Sequence, residues 1–92
     1  MLRWTWDLGK DVANRSKHRL PLSVAELALA DPLALSAPDS HPDGDRWDTL
    51  CRMGGAVLYI VHTWPDDDVP GRIISVRKAT RHERKVYEDG DH

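Results

Sequence analysis

The sequence predicts an α+β fold in the order β-α-α-β-β-β-β-α, with helices packed against a mostly antiparallel sheet. Several short segments alternate apolar and polar residues, as half-buried strands do. Two Ser/Thr-x-x-Glu motifs mark helix starts. Met53-Gly54-Gly55-Ala56 provides the glycine pair that a two-residue hairpin turn requires. At 92 residues, we expect one domain, residues 1–92, with one hydrophobic core.

The N-terminal segment predicts a strand followed by a helix. Apolar and polar residues alternate from Leu2 to Trp6, which is typical of a strand. Asp7 is then the expected N-cap of a helix from Leu8 to His18. The helical spacing predicts a narrow apolar stripe facing the core, made of Leu8, Val12 and Ala13.

The next segment predicts a short helix, a strand and a loop. Ser23 and Glu26 form a capping box that predicts a helix start. The pair Asp31-Pro32 ends this helix, because the residue before a proline avoids helical geometry. Residues 33–37 are a predicted short strand, and residues 38–45 have the composition of a loop.

The C-terminal half predicts an antiparallel meander followed by a helix. Its strands are predicted at residues 46–53, 56–64 and 72–77. The second of them is apolar almost throughout, which places it in the middle of the sheet. Thr80 and Glu83 form another capping box, so the last helix is expected to begin at Arg81.

The composition fits a globular domain, and its charges are unevenly distributed. Hydrophobic residues make up 40% of the chain, charged residues make up 30%, and the net charge is -2. Acidic residues collect at 39–48, at 66–68 and in the tail, whereas 72–85 is strongly basic. A localised basic face on a nearly neutral protein indicates a specific nucleic-acid or acidic partner.

Cysteine and histidine usage predicts neither a disulfide nor a metal site. Cys51 is the only cysteine and is expected to be a small buried hydrophobe. No histidine has paired ligand spacing with it. We therefore expect no metal and no cofactor. With no apolar run of signal-peptide or membrane length, we expect a cytoplasmic protein without membrane contact.

The strand and helix start at residues 72–85 form the main candidate site for an anion. This stretch holds six Arg or Lys residues and one carboxylate, and the helix N-terminus adds positive potential. Alternation predicts Ile74 and Val76 on one strand face. Ile73, Ser75 and Arg77 are then expected on the other. A guanidinium at the edge of a core needs an anionic partner, either a carboxylate or a phosphate. The alternative interpretation is a solvated face on which Glu83 is only a cap.

The order of these elements, together with particular residues, resembles the BrnT toxins of bacterial type II toxin-antitoxin modules. Two departures stand out: the family usually has Gly where this chain has Arg19, and a small residue where it has Val76. The residues that carry the resemblance span nearly the whole chain: Trp6-Asp7, Lys10, Asn14, Lys17-His18, Asp31-Pro32-Leu33, Asp39, Arg46-Trp47, Arg72-Ile73-Ile74-Ser75, Arg77-Lys78-Ala79-Thr80-Arg81, Glu83-Arg84 and Tyr87.

The resemblance implies a RelE-like fold and an endoribonuclease that cleaves RNA and inhibits translation. It also implies neutralisation by a BrnA-type antitoxin that binds operator DNA, so that the toxin reaches DNA only indirectly. A homodimer or a toxin-antitoxin heterotetramer is a possible assembly.

Metal-independent RNA cleavage uses the 2′-hydroxyl as nucleophile, so the protein must move protons and stabilise phosphoryl charge. For charge stabilisation the candidates are Arg77, Arg81 and Arg46, whose guanidinium groups suit phosphate oxygens. For proton transfer they are His18, Lys17, Tyr87 and Glu83. The remaining candidates for substrate binding are Lys10, Asn14, Arg72, Lys78 and Arg84.

Two other functions fit the same basic segment. One is a non-catalytic module that binds an acidic antitoxin or nucleic acid, and the other is a DNA-binding repressor. A catalytic site requires His18, Lys17 or Tyr87 within hydrogen-bond reach of a phosphate held by Arg77 and Arg81. The chain has no helix-turn-helix signature to support the repressor.

Overall fold

A computed structural model describes residues 3–41 and 44–90, and its element order confirms the predicted α+β fold. Within these residues the strand boundaries agree with the predicted ones to within two residues. Leu2, at the start of the predicted first strand, lies outside the described residues. The elements are β1 (Trp4–Thr5), α1 (Leu8–His18), α2 (Val24–Ala28), β2 (Leu35–Pro38), β3 (Trp47–Met53), β4 (Ala56–His62), β5 (Gly71–Lys78) and α3 (Arg81–Asp89).

The strands form one mixed five-stranded sheet in the order β1-β5-β4-β3-β2. Strands β3, β4 and β5 make the predicted antiparallel meander, and the apolar β4 lies in its middle. The hairpin between β3 and β4 turns at Gly54, whose φ of 60° suits a residue without a Cβ. β1 pairs in parallel with β5 through Trp4 and Thr5, which lie opposite Gly71 and Arg72. Among the described residues, no strand covers the edge of β5 beyond this short pairing.

A β-bulge in β5 changes which residues share a face. Val61 pairs with Ser75 but its neighbour His62 pairs with Ile73, so Ile74 is the extra residue. The prediction that Ile74 and Val76 share one strand face, with Ile73 on the other face beside Ser75 and Arg77, is therefore wrong. Ile73 and Val76 are instead both fully buried, because the inserted residue shifts the alternation by one position. Ser75 and Arg77 lie beyond the bulge and share a face as predicted.

The core lies between the sheet and α2. Ala25 and Ala28 of the helix pack against the central strands together with Leu22. The predicted Ser23 capping box is wrong, because Ser23 has helical φ and ψ and its side chain makes no cap hydrogen bond. The backbone N–H of Leu22 is held instead by the carboxylate of Asp11, at 2.8 Å. Asp11 thereby ties α1 to the segment that enters α2.

Helix α1 is oriented differently from the prediction. Leu8 and Val12 are 77% and 60% exposed, and Ala13 is exposed as well. The buried residue of this helix is Asn14. The amphipathic pattern therefore failed here, because a polar side chain is the one that meets the unpaired edge of β5.

Candidate functional site

The side chain of Asn14 holds α1 against β5. Its Nδ2 donates to the carbonyl oxygens of Leu20 at 2.8 Å and Val76 at 2.9 Å, and its Oδ1 accepts from the Val76 N–H at 3.1 Å. The amide therefore replaces a neighbouring strand at this point of the edge, where buried backbone groups need partners. With these bonds made, Asn14 positions the helix.

A groove of about 310 Å³ lies between α1 and β5. Within the described residues Lys10 and Lys17, both exposed, form no ion pair, and His18 is half-buried beside them. The structure thus brings four of the predicted site residues together around a cationic groove. The lining residues are Lys10, Ala13, Asn14, Lys17, His18, Ile74 and Ser75.

Arg77 follows Ser75 on the same face of β5, roughly 7 Å along the strand. Its guanidinium lies over the Tyr59 ring, 4.1 Å from the centroid, and donates to both carboxylate oxygens of Glu83 at 2.7 and 2.9 Å. The anion expected beside Arg77 is therefore a carboxylate of its own chain. Arg77 and Glu83 largely offset each other's charge.

Glu83 also completes the predicted capping box of α3. It accepts from the Thr80 N–H at 2.8 Å, while the Thr80 hydroxyl accepts from the Glu83 N–H at 3.2 Å. The Arg77 guanidinium and the Thr80 N–H lower the pKa of Glu83 to about 2. Such a carboxylate stays ionised near neutral pH and is a poor proton acceptor.

Tyr59 and Asp48, which the sequence analysis did not single out for the site, lie near Arg77, and Asp39 lies beyond them. The side chain of Tyr59 lies beside Asp48, and Asp48 lies beside Asp39. Burial and the Asp39 carboxylate raise the pKa of Asp48, whereas the neighbouring Asp48 lowers the pKa of Asp39. Tyr59 was hidden in an apolar run, and only the β3–β4 register could have placed it beside Asp48.

The remaining predicted arginines and Lys78 are spread over the surface. Arg46 precedes β3 close to Asp39, and its Nε is buried without a hydrogen-bond partner among the described residues. Arg81 is exposed at the start of α3, and Arg84 pairs with Glu88 at 3.0 Å. Two others lie near the ends of β5: Arg72 and Lys78.

Neither end of β5 carries its cation into the groove. Arg72 lies next to Thr5 of β1, five residues before Arg77. Lys78 pairs in register with the buried Leu58, which puts it on the sheet face opposite Arg77.

Tyr87 points away from the groove. It is 3% exposed, and its hydroxyl donates to the Asp31 carboxylate at 2.6 Å. Burial and this bond raise the pKa of Tyr87. The same carboxylate accepts from the Arg52 and Leu33 backbone N–H groups. Tyr87 therefore attaches α3 to the loop before β2.

The described residues, 3–41 and 44–90, contain neither a membrane-spanning helix nor a cluster of metal-ligand side chains. No helix in these ranges is long and apolar enough to cross a membrane. No three His, Cys, Asp or Glu side chains in them are grouped as metal ligands are.

The fold and the groove together define a small α+β protein with a cationic site at the edge of its sheet. The sequence matches the family described as the ribonuclease toxin BrnT of type II toxin-antitoxin systems, over residues 6–83. The chain therefore belongs to the BrnT toxin family, as the sequence resemblance predicted, and its partner is an antitoxin protein. No curated protein matches the chain. The match includes all four groove residues named above, whereas Arg84 and Tyr87 lie beyond it.

Proposed function

We propose that the protein is a metal-independent endoribonuclease that cuts RNA and is neutralised by a BrnA-type antitoxin. Family membership supports the ribonuclease activity. The observation that carries the proposal is the groove, where Lys10, Lys17 and His18 surround a cavity next to Ser75. In the described part of the chain no carboxylate pairs with either lysine, so a phosphate is the complementary ligand.

In the proposed reaction the RNA 2′-hydroxyl attacks the adjacent phosphorus and the 5′-oxygen leaves. Histidine is the side chain that exchanges protons near neutral pH, so His18 is the proposed base for the 2′-hydroxyl. Lys17 and Lys10 stabilise the charge that develops on the phosphoryl oxygens, and Lys17 is the proposed donor to the leaving oxygen. The products are a 2′,3′-cyclic phosphate and a 5′-hydroxyl.

The arginines have a secondary part in this proposal. Glu83 offsets the charge of Arg77, so Arg77 contributes a weaker field than an unpaired guanidinium would. Arg46 and Arg81 are proposed to contact phosphates on either side of the cleaved one. Such contacts raise affinity without choosing a sequence.

The test is cleavage of an end-labelled RNA oligonucleotide by the toxin purified free of antitoxin, in EDTA. We expect fragments that end in a 2′,3′-cyclic phosphate, and no cutting when the nucleotide at the cleaved position is 2′-deoxy. Activity that disappears in EDTA and returns with Mg²⁺ would contradict metal independence. Cutting of the 2′-deoxy substrate would contradict attack by the 2′-hydroxyl.

Addition of a BrnA-type antitoxin is expected to stop the cleavage. The mass of the complex then separates a 1:1 complex from a heterotetramer, and operator DNA is expected to bind only when the antitoxin is present. RNA that binds the toxin with salt dependence but stays uncut, with or without ribosomes, would favour the non-catalytic binding module.

A further inference from the structure

Helix α1 presents its apolar residues to solvent and its one buried polar residue to the sheet. Leu8 and Val12 are one helical turn apart and are 77% and 60% exposed. At 100° per residue, three small exposed residues continue the same side of the helix: Gly9, Ala13 and Ser16. We call Leu8, Gly9, Val12, Ala13 and Ser16 the outer stripe. Small residues allow a second helix to approach closely.

The outer stripe differs from the other exposed apolar residues of the described chain. Leu27 of α2 and Val69 of the loop before β5 are exposed to a similar degree, at 73% and 58%. Neither of them has a second exposed apolar residue one turn away on a helix. Single exposed apolar residues are ordinary, whereas an apolar stripe along a helix indicates a partner.

Cations border the outer stripe on both sides. Lys10 and Lys17 lie along the border on the groove side, where Ala13 of the stripe also lines the groove, and Arg15 lies along the other border. Asp11 partly offsets Arg15, with which it pairs at 3.3 Å. A complementary partner therefore has an apolar ridge flanked by carboxylates, as an acidic amphipathic helix does.

We propose that the outer stripe of α1 is the docking surface for an acidic amphipathic segment of the antitoxin. Apolar side chains of that segment cover Leu8 and Val12, and its carboxylates pair with Lys10 and Lys17. Because both lysines line the groove, the docked segment removes the cations that the proposed reaction uses. This inference rests on the proposed function for its link to inhibition, but not for the binding itself.

The experiment compares two double variants of equal chemistry. Leu8→Glu/Val12→Glu changes the outer stripe, and Leu27→Glu/Val69→Glu makes the same changes at residues of similar exposure. The dissociation constant for a purified BrnA-type antitoxin is measured by calorimetry, after urea unfolding shows that both variants fold. We expect the first variant to weaken binding about 100-fold or more, and the control to stay within about threefold.

Cleavage assays then connect binding to inhibition. The outer-stripe variant should cut RNA as the wild type does and should resist the antitoxin. Raising NaCl from 50 mM to 500 mM should weaken wild-type binding; a dissociation constant that salt leaves unchanged would overturn the acidic character of the segment. Wild-type affinity in the outer-stripe variant would overturn the docking surface itself.

Three further results are decisive. Another groove, of about 270 Å³, lies between β2 and α3 and is lined by Leu35, Leu50 and Val86 among others. Loss of antitoxin binding in Val86→Glu, with Leu8→Glu/Val12→Glu unaffected, would move the interface to that groove. A toxin dimer that only the outer-stripe variant dissociates would make a second copy the occupant. The third result is a wild-type protein that cuts no RNA, while the outer-stripe variant still loses antitoxin binding. In that case the proposed function fails and this inference stands.

Discussion

The side-chain amide of Asn14 pairs with both backbone polar groups of Val76, a residue 62 positions further along the chain. This relationship places α1 beside the open edge of β5, and with it the groove. It also explains why the helix buries a polar residue. The amide satisfies a backbone N–H and a backbone C=O that the two-residue β1 does not reach.

Replacing Asn14 should therefore cost stability. In Asn14→Ala, the N–H and C=O of Val76 lose their partners in a buried place, and we expect the free energy of unfolding to fall by about 2–4 kcal/mol. Urea denaturation measures this value. Ser16→Ala, at an exposed position of the same helix, should change it by less than about 0.5 kcal/mol. Equal effects of the two substitutions would show that the Asn14 bonds add nothing.

The pair Arg77 and Glu83 predicts a particular acid sensitivity. The pKa of Glu83 falls from 4.5 to about 2 on folding. This pKa shift contributes about 3 kcal/mol to the free energy of unfolding. The contribution is present above pH 4.5 and is lost as the pH falls towards 2. Glu83→Gln should lower the free energy of unfolding at pH 7. It should also weaken the dependence of this free energy on pH between pH 5 and 2. Glu88→Gln, which changes an exposed pair on the same helix, should keep the wild-type slope.

Arg19 should be replaceable by glycine with a gain in stability. It ends α1 in the left-handed conformation, with φ 60° and ψ 28°, and it is exposed. Glycine adopts this conformation at little cost, so Arg19→Gly should raise the free energy of unfolding by about 1 kcal/mol. Thermal denaturation provides the measurement. Ser16→Gly, inside the helix, should lower the free energy of unfolding. Destabilisation by both substitutions would contradict the left-handed conformation assigned to Arg19.

Tyr87→Phe should separate stability from catalysis. Removing the hydroxyl breaks the bond to Asp31, and we expect a loss of about 1–2 kcal/mol in the free energy of unfolding. RNA cleavage at a temperature where the variant is folded should stay within about twofold of the wild type. A loss of about 100-fold or more in the folded variant would restore Tyr87 as a proton-transfer residue.

The features that the sequence predicts well are local ones. Asp7 caps α1 by accepting from the Lys10 N–H, and the Thr80 box starts α3, so both helices begin where a few neighbouring side chains dictate. The groove residues of α1 are likewise set by helical spacing. Lys10, Asn14 and Lys17 recur every three or four positions and therefore share a side of the helix.

The features that were missed depend on contacts between distant segments. The bulge at Ile74 changes which residues of β5 share a face, and the alternating pattern of residues 72–77 does not predict it. The orientation of α1 depends on the open edge left by a short β1. The proximity of Tyr59 to Asp48 depends on the pairing of β3 with β4. Each of these features depends on which segments pack together in the fold. The sequence of one segment alone does not determine it.

The most direct test of the account is the RNA cleavage rate of Lys17→Ala/His18→Ala, measured in EDTA beside His82→Ala/Lys85→Ala. The control removes the same two side-chain types from exposed positions on α3. If the groove holds the scissile phosphate, the groove variant should lose about 100-fold or more in rate while it stays folded. The control should keep wild-type activity. Equal rates in the two variants would show that the groove between α1 and β5 is not where RNA is cut.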